Sequence, residues 1–306
     1  MEIISIITTF YNAEKFLEYA LKSISNQIVN NDLEIEYILV NDCSTDLSLK
    51  IAENFKNNNQ NNNLKIYIYT TEHNLGCGGA RNYGIQQAHG NYFMFLDADD
   101  YYINSDFVQR AVLDIKKYQA DIIEYGVIFN FENGNQHFLT VQEQQIIDDP
   151  EEAVFYMFKD NRIKFNVWSK IYTKKIIESY PYNTSREYED IRTIPFWLKE
   201  CKRIVIQPTT EINYRSSNNS IIRDNELNTR LGTIKAITEV AEVFKHNKSI
   251  IKALYNRALI DISSVMEHKT SLDDGFNEMS KYNTKLLSYI YPNTYKDITF
   301  NIPEKE

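Results

Sequence analysis

The first 130 residues alternate between two kinds of segment, and this alternation limits the fold more than any other feature of the chain. Runs rich in β-branched and aromatic residues have the length of buried strands and lie at 3–10, 35–42, 64–72, 91–100 and 120–129. Between them, helical segments are predicted after Asn12 and at 44–55, 79–88 and 107–118. Asn12 and the Ser44-Thr45 pair are the expected N-caps of the first two helices. This order predicts an α/β fold with a mainly parallel sheet flanked by helices.

The pattern changes after residue 130, and the 306 residues leave room for a helical annex beside one large α/β domain. A helix is predicted at 148–158, with Asp149 as its N-cap and Pro150 at its first position. The later elements are strands at 165–172 and 203–208, a helix at 186–200, and a helical region at 227–291 whose apolar stripe is Leu231, Ile234, Ile237, Ala241 and Phe244. These patterns place a domain boundary near residue 220.

Composition excludes several classes of partner and compartment. The formal charge of −9 argues against nucleic acid or an anionic membrane as the main partner. The cysteines, Cys43, Cys77 and Cys201, are odd in number and far apart, which indicates a reducing compartment without a disulfide framework. The apolar N-terminus lacks a basic n-region, and apolar runs fall short of the about 18 residues that span a bilayer. We therefore expect a cytoplasmic location, with peripheral membrane contact as the alternative.

Polar side chains follow three of the predicted strands, at Phe10–Asn12, Asp42 and Asp97–Asp100. Ligands of open α/β sheets bind beyond the carboxyl ends of the strands, so these residues are expected to meet at one crevice. Asp97 and Asp99 form a D-x-D, whose carboxylates would face the same side of a strand. A site with a small number of protein oxygen ligands is suitable for Mg²⁺ or Mn²⁺, because these ions complete their shells with water and phosphate oxygens. The alternative is a solvated turn after a strand.

A dinucleotide-binding loop is a second interpretation, carried by "GCGGARNYG" at 76–84. This segment follows a strand and opens a helix, as the Gly-rich fingerprint does. Arg81 occupies the place of the third glycine, however, and the glycines begin several residues after the strand. We therefore discard this interpretation.

Four segments occur in an order that resembles the signatures of family-2 glycosyltransferases with the Rossmann-like GT-A fold. They are "SIITTFYNAEKFLEYALKSISNQ", "ILVNDCSTD", "NLGCGGARNYGI" and "FLDADD". The resemblance continues through "NVWSKIY", "YEDI" and "YRSSNNSI", and so covers residues 1–222. Thr8 departs from the family's usual proline, and Asn41 from a common aspartate. Members of this family transfer a sugar from a nucleotide diphosphate with inversion.

The resemblance implies a nucleotide-sugar site in the first half of the chain. Thr9, Phe10 and Tyr11 would line the nucleoside pocket. Asp42 would contact the uracil or ribose, and Arg81 would face the phosphates or sugar of the donor. The alternatives are a turn aspartate and an ordinary surface arginine.

The Asp97-Ala98-Asp99 segment would complete this donor site. By the family pattern, Asp97 would hold ribose or sugar hydroxyls, and Asp99 would ligate Mn²⁺ or Mg²⁺ on the diphosphate. Asp100 is the alternative metal ligand, because an extra residue follows it before the next helix.

A second acidic site is implied near residue 190. Asp190 would be the general base, since inverting transfer needs a carboxylate opposite the leaving diphosphate. Without that role, Asp190 and its neighbour Glu189 would simply open a helix, where the macrodipole favours acids. Glu189 and four further residues are expected on the acceptor or diphosphate side: Trp168, Lys170, Tyr214 and Arg215.

Together these assignments predict a metal-dependent inverting glycosyltransferase that moves a sugar from a UDP-sugar to a hydroxyl of a glycan, lipid-linked or protein acceptor in polysaccharide or glycoconjugate synthesis. Residues 1–130 would form the nucleotide-sugar half of a catalytic domain, and 131–222 its acceptor half. Residues 223–306 would form a helical region that packs, binds acceptor or makes a homo-oligomer. A nucleotidyltransferase on a related fold and a non-catalytic nucleotide-sugar-binding scaffold are the alternatives.

Overall fold

The computed structural model describes residues 1–131, 134–186, 188–216, 226–267 and 274–291. Its strands are β1 (Glu2–Phe10), β2 (Leu33–Asn41), β3 (Leu64–Thr70), β4 (Tyr92–Phe95), β5 (Tyr101–Tyr102), β6 (Ile122–Phe131), β7 (Gln136–Leu139), β8 (Gln145–Ile147), β9 (Lys170–Thr173) and β10 (Ile204–Ser216). Its helices are α1 (Leu17–Ser25), α2 (Ser48–Asn58), α3 (Gly76–Gln87), α4 (Phe107–Tyr118), α5 (Pro150–Asp160), α6 (Lys174–Ser179), α7 (Ile194–Lys199), α8 (Glu226–Val243), α9 (Lys248–Glu267) and α10 (Asp274–Ile290).

The chain separates into two compact units. The first comprises Met1–Ala153 and Ile163–Asn218, and the second comprises Val154–Arg162 and Asn219–Glu306. The domain boundary predicted at residue 222 lies outside the described residues.

The first unit is built on one sheet with the strand order β3-β2-β1-β4-β9-β6-β10-β5. β1 is parallel to β2 and β4, β2 to β3, and β6 to β10. β9 lies antiparallel between β4 and β6. The predicted α/β fold is therefore confirmed, but the sheet is mixed, because β9 interrupts the parallel order and β5, β7 and β8 also pair antiparallel.

The register of the parallel strands brings their carboxyl ends to one edge of the sheet. Phe10 lies beside Asn41, and Asn41 beside Thr70. Gly84 lets α3 pack closely above them, because a Cβ at this position would lie only 2.7 Å from the Ile7 side chain. The loops that follow β1, β2 and β4 therefore open at the same edge, as expected from the sequence.

Two predicted helix caps are wrong. Asn12 has a φ of 50°, and α1 begins only at Leu17. The Asn12 Oδ1 instead accepts the Thr45 backbone N–H at 2.8 Å. α2 begins at Ser48, where the Asp46 carboxylate accepts the Ser48 backbone N–H at 2.9 Å. The polar residues after β1 and β2 tie these two loops together instead of capping helices.

Two elements of the second half are shorter than predicted. The strand predicted at 165–172 is limited to Lys170–Thr173, and the helix predicted at 186–200 begins at Ile194. The cap of α5 is confirmed, because the Asp149 Oδ1 accepts the Glu151 backbone N–H at 2.8 Å. The residues before β9 and α7 form turns, and the acidic site lies between these turns and α3.

The second unit is helical. The apolar stripe predicted on α8 is buried, with Leu231 9% exposed and the other members 0%. Arg230 on α8 pairs with Asp261 on α9 at 2.8 Å, and Glu242 accepts a hydrogen bond from the Tyr289 hydroxyl of α10. None of the described helices combines the length and the apolar character needed to cross a membrane.

Candidate active site

The acidic segment after β4 forms a tight turn. β4 ends at Phe95, and the Asp100 backbone N–H donates to the Asp97 carbonyl at 3.1 Å. The prediction that Asp97 and Asp99 share one face of a strand is therefore wrong, because the strand has already ended. Ala98 is buried within the turn at 8% exposure.

Asp99 and Asp100 lie in surroundings that disfavour their charged forms. Burial, with Asp97 as a second cause, raises the pKa of Asp99 to about 6. Burial and the neighbouring Asp99 raise the pKa of Asp100 well above its usual value. Asp100 is fully buried; one carboxylate oxygen accepts the Arg215 backbone N–H at 3.0 Å, and Oδ2 has no hydrogen-bond partner.

A divalent cation fits this chemistry. An unpartnered buried carboxylate oxygen is costly, and a cation beside it would offset both that cost and the repulsion within the turn. Across the part of the chain that the structure describes, no group of three or more His, Cys, Asp or Glu side chains could hold a metal ion. A cation held by Asp99 and Asp100 would therefore need oxygen ligands from water or a bound molecule, as Mg²⁺ and Mn²⁺ usually have.

Asp100→Asn is expected to raise the melting temperature at pH 8 and to leave it nearly unchanged at pH 4. Because the pKa is raised, the folded protein holds this proton more tightly than the unfolded chain, and ionisation at higher pH costs stability. At pH 4 the protonated aspartate and the asparagine are nearly equivalent. Scanning calorimetry would measure the difference in melting temperature. For a domain of this size, a change of about 1 kcal/mol in unfolding free energy changes the melting temperature by about 2–4 °C.

Asp106→Asn is the matched control for that measurement. Its exposed carboxylate accepts hydrogen bonds from Arg110, which lower the pKa of Asp106. The control is therefore expected to lose a little stability at pH 8 instead of gaining it. A lower melting temperature for Asp100→Asn at pH 8 would mean that the buried Asp100 charge does not destabilise the fold.

Arg81 joins the turn after β4 to the second acidic site. Its side chain is 4% exposed, and Nη2 donates to Asp97 Oδ1 at 2.8 Å. Nη1 donates to Glu189 Oε1 at 3.1 Å and to Asp190 Oδ1 at 3.2 Å. Burial lowers the pKa of Arg81, but Cys77 and the three carboxylates outweigh it and raise the pKa overall, so the guanidinium keeps its positive charge. One buried cation thus holds three carboxylates from two distant parts of the chain.

Tyr182 completes this cluster, and sequence reasoning missed it. Its hydroxyl accepts from Arg81 Nη1 at 2.7 Å and donates a very short hydrogen bond to Asp190. The Asn82 side chain holds the Tyr182 backbone on both sides, at 2.7 and 2.9 Å. α3 can approach this loop closely because Gly78 has no Cβ. A Cβ there would lie 1.9 Å from the Asn183 carbonyl oxygen. A tyrosine in a loop carries no sequence signal for such a role.

Asp190 is sheltered but reachable, with 21% of its side chain exposed. Burial raises its pKa to about 6, against the lowering effect of the Arg81 charge. Oδ2 accepts the Val167 backbone N–H at 3.3 Å. The preceding Tyr188 has a φ of 56°, a left-handed conformation that is uncommon for a bulky residue and is often found at functional sites. A partly exposed carboxylate with such a pKa can take up a proton near neutral pH.

The residues predicted for the nucleoside pocket lie at the ends of β1 and β2. Phe10 is buried, Thr9 is half-buried and Tyr11 is 52% exposed. The Asp42 carboxylate accepts the backbone N–H groups of Leu75 and Gly76 at 2.8 and 2.9 Å. Asp42 thus orders the loop that opens α3, and its contact with a nucleoside stays a prediction.

The four residues expected on the acceptor or diphosphate side have different surroundings. Trp168 is 5% exposed and stacks on Tyr214, with ring centroids 5.4 Å apart. The Arg215 guanidinium lies 4.2 Å from the Tyr19 ring centroid. Lys170 is fully buried, and its ammonium donates to backbone carbonyls. The structure therefore places Lys170 behind the site, where it cannot contact a ligand directly.

Comparison with known sequences identifies one family. The family model described as Glycosyl transferase family 2 matches residues 5–186. Glycosyltransferase GlyA of Streptococcus pneumoniae is 29% identical over 195 residues, which are 61% of this chain and 27% of GlyA. The poly(ribitol-phosphate) beta-N-acetylglucosaminyltransferase TarS of Staphylococcus aureus is 35% identical over 119 residues, 39% of this chain and 20% of TarS. The matched region thus spans well under two thirds of these relatives.

Solved structures confirm the predicted GT-A fold. TarS 1–349 in complex with UDP-GlcNAc gives a TM-score of 0.72 at 19% identity, covering 95% of this chain and 82% of that one. The mannosyltransferase PcManGT of Pyrobaculum calidifontis, in complex with GDP-Man and Mn²⁺, gives 0.56 at 13% identity, covering 96% and 87%. At such identities the likeness shows the fold alone.

Proposed function

The chain belongs to glycosyltransferase family 2, and from this membership we propose that it is a metal-dependent inverting transferase that uses a UDP-sugar. The observation that carries the proposal is the Arg81 guanidinium, which bonds Asp97 on one side and Asp190 on the other. Arg81 thereby holds the proposed donor-side acid, Asp97, close to the proposed base, Asp190. An inverting displacement needs acids in these two places, one beside the leaving group and one beside the attacking hydroxyl.

Asp190 is the proposed general base. As the acceptor oxygen bonds to the anomeric carbon, its proton moves to the Asp190 carboxylate. The bond from that carbon to the β-phosphate oxygen breaks, and its electron pair leaves on UDP. The products are the inverted glycoside, UDP and a protonated Asp190.

Asp99 and Asp100 are the proposed residues for Mn²⁺ or Mg²⁺. A bound cation supplies positive charge to the leaving diphosphate. The unpartnered Asp100 Oδ2 and the raised pKa values of both carboxyls support this assignment. Arg81, Asp97 and the residues after β1 would orient the donor beside them.

UDP is the proposed nucleotide because TarS has been solved with UDP-GlcNAc, and PcManGT with GDP-Man is the precedent for a different base. The proposed acceptor is a hydroxyl of a glycan, a lipid-linked saccharide or a protein. The proposed catalytic domain is residues 1–222, and residues 223–306 form the proposed helical region. Family membership favours this activity over the nucleotidyltransferase and the scaffold considered from the sequence.

Release of UDP tests the proposed activity. The purified protein, incubated with Mn²⁺ and a panel of UDP-sugars that includes UDP-GlcNAc, is expected to hydrolyse at least one donor slowly without acceptor. Asp190→Asn is the control, since it should remove this turnover. Equal UDP release by both proteins would mean that Asp190 is not the base, and no release from any UDP-sugar would remove UDP as the nucleotide.

Turnover is expected to fall steeply as the pH drops below about 6. Asp190 accepts a proton only when ionised, and burial raises its pKa to about 6. Asp99, whose pKa is also raised to about 6 by burial, would lose its charge in the same range. A profile of kcat/KM between pH 4.5 and 8 checks this, and a rate that stays constant down to pH 5 would contradict the assignment.

A further inference from the structure

We propose that Glu124 and Lys170 are positioning residues for Asp190, which they hold through the turn formed by residues 164–169. This inference rests on the proposed role of Asp190 as the general base. Both side chains are 0% exposed, so they act from the interior, behind the turn.

The two residues belong to a buried cluster of three charges. Lys170 Nζ lies 2.9 Å from Glu124 Oε2, and Lys164 Nζ lies 2.6 Å from Glu124 Oε1. Lys164 is also buried, at 5% exposure. Because taking such charges out of water is costly, well-packed apolar side chains are often equally stable in their place. Stability alone is therefore a weak reason for the cluster. Its hydrogen bonds indicate a second reason, which is to hold the turn formed by residues 164–169.

These hydrogen bonds hold the first half of the turn. The Lys170 ammonium donates to the carbonyls of Lys164 and Asn166 at 2.8 and 2.7 Å. The Glu124 carboxylate accepts the Lys164 backbone N–H at 3.0 Å. On the opposite side of the turn, the Val167 N–H donates to Asp190 Oδ2. A shift of the turn would therefore move a donor that orients the carboxylate of the base.

Lys170 also contributes a positive charge near Asp190. Among the residues that the structure describes, the charged and titratable groups facing Asp190 are Arg81 and Cys77 of α3, Asp97 after β4, Glu189 and Tyr182 in the adjoining loop, and Lys170 and Tyr172 of β9. Burial raises the pKa of Asp190, while the charges of Arg81 and Lys170 lower it. Loss of the Lys170 charge should therefore make Asp190 harder to ionise.

Carboxyl ¹³C NMR titration of Asp190 tests this without any substrate. The signal is assigned by its loss in Asp190→Asn, and its pKa is then compared in the wild type, Lys170→Met and Lys164→Met. Lys164→Met is the matched control, because it removes a buried lysine from the same Glu124 but spares the two loop carbonyls. We expect Lys170→Met to raise the pKa of Asp190 by about 0.5–1, and Lys164→Met to leave it nearly unchanged.

Kinetics with UDP-GlcNAc or another donor that is hydrolysed provide the second measurement. Lys170→Met should lower kcat by about tenfold while KM for the donor changes by less than about twofold. Lys170→Arg, which keeps the charge, should recover part of the loss. Glu124→Gln keeps the side-chain shape and serves if Lys170→Met does not fold. It should lower kcat, because a neutral amide holds Lys170 and the Lys164 backbone N–H more weakly, but it should not raise the pKa of Asp190, because the Lys170 charge is kept.

The possible outcomes separate the two proposals. An unchanged titration and kcat in Lys170→Met, or equal changes in Lys164→Met, would overturn the positioning role. An active Asp190→Asn would instead overturn the base itself, whatever the lysine variants do.

Discussion

Asp190→Asn is expected to lower the rate of sugar transfer by about 10²–10⁴-fold, the usual contribution of a general base. The amide keeps the size of the side chain and can still accept from Val167, but it cannot take the acceptor proton. Binding of UDP should change by less than about twofold, because the donor contacts assigned to the turn after β4 are untouched. Calorimetric titration of UDP and initial rates, measured on one preparation, check the two parts.

Glu189→Gln is the matched control for Asp190→Asn. Glu189 bonds the same Arg81 nitrogen, and its side chain is 17% exposed against 21% for Asp190. This variant should keep more than about a tenth of the wild-type rate, since Glu189 has no proposed proton to carry. A Glu189→Gln protein as inactive as Asp190→Asn, or an Asp190→Asn protein with nearly full activity, would contradict the assignment of the base.

Arg81→Met is expected to cost about 3–5 kcal/mol of unfolding free energy at pH 8, the range found when a buried ion pair loses one partner. Asp97, Glu189 and Asp190 would then lie together without their shared cation. Acid neutralises carboxylates, and the pKa of Asp190 is already raised to about 6, so the loss should shrink as the pH falls from 8 to 4. Urea denaturation of wild type and variant at pH 8 and at pH 4 measures this difference.

Arg81→Lys separates the charge from the geometry. Lysine keeps one positive charge but not the planar group that reaches Asp97 with one nitrogen and Asp190 with the other. This variant should be more stable than Arg81→Met at pH 8 and still impaired in transfer. If Arg81→Met is as stable as the wild type at pH 8, the three carboxylates do not depend on Arg81.

The parallel part of the sheet could be predicted because strand and helix periodicities alternate clearly up to residue 130. The same pattern placed Asp42 and the Asp97–Asp100 segment at the ligand edge of the sheet. It could not show that β4 stops at Phe95, because the apolar run continues to Leu96 and no breaker separates it from the acids. Nor could it show the antiparallel course of β9, since the sequence of a four-residue strand carries no information on its direction.

The candidate site was predictable only as separate residues. Arg81 and Asp190 are 109 positions apart, and their hydrogen bond follows from the tertiary fold alone. Tyr182 is equally invisible, because a buried hydroxyl that links two site residues has no local pattern. Lys170 was expected on the acceptor or diphosphate side from the family resemblance, and its burial, which is unusual for a lysine, could not be read from the sequence. Its burial depends on Glu124, which lies on a different strand.

In the proposed enzyme, a nucleoside diphosphate binds at the turn after β4 together with a divalent cation, and this binding does not need the base, Asp190. Calorimetric titration of wild type, Asp99→Asn and Asp190→Asn with UDP, first with Mn²⁺ and then with EDTA, tests this binding. We expect Mn²⁺-dependent binding of UDP to wild type and to Asp190→Asn, and loss of this binding in Asp99→Asn. UDP binding that persists in EDTA and in Asp99→Asn, or no UDP binding under either condition, would contradict this expectation.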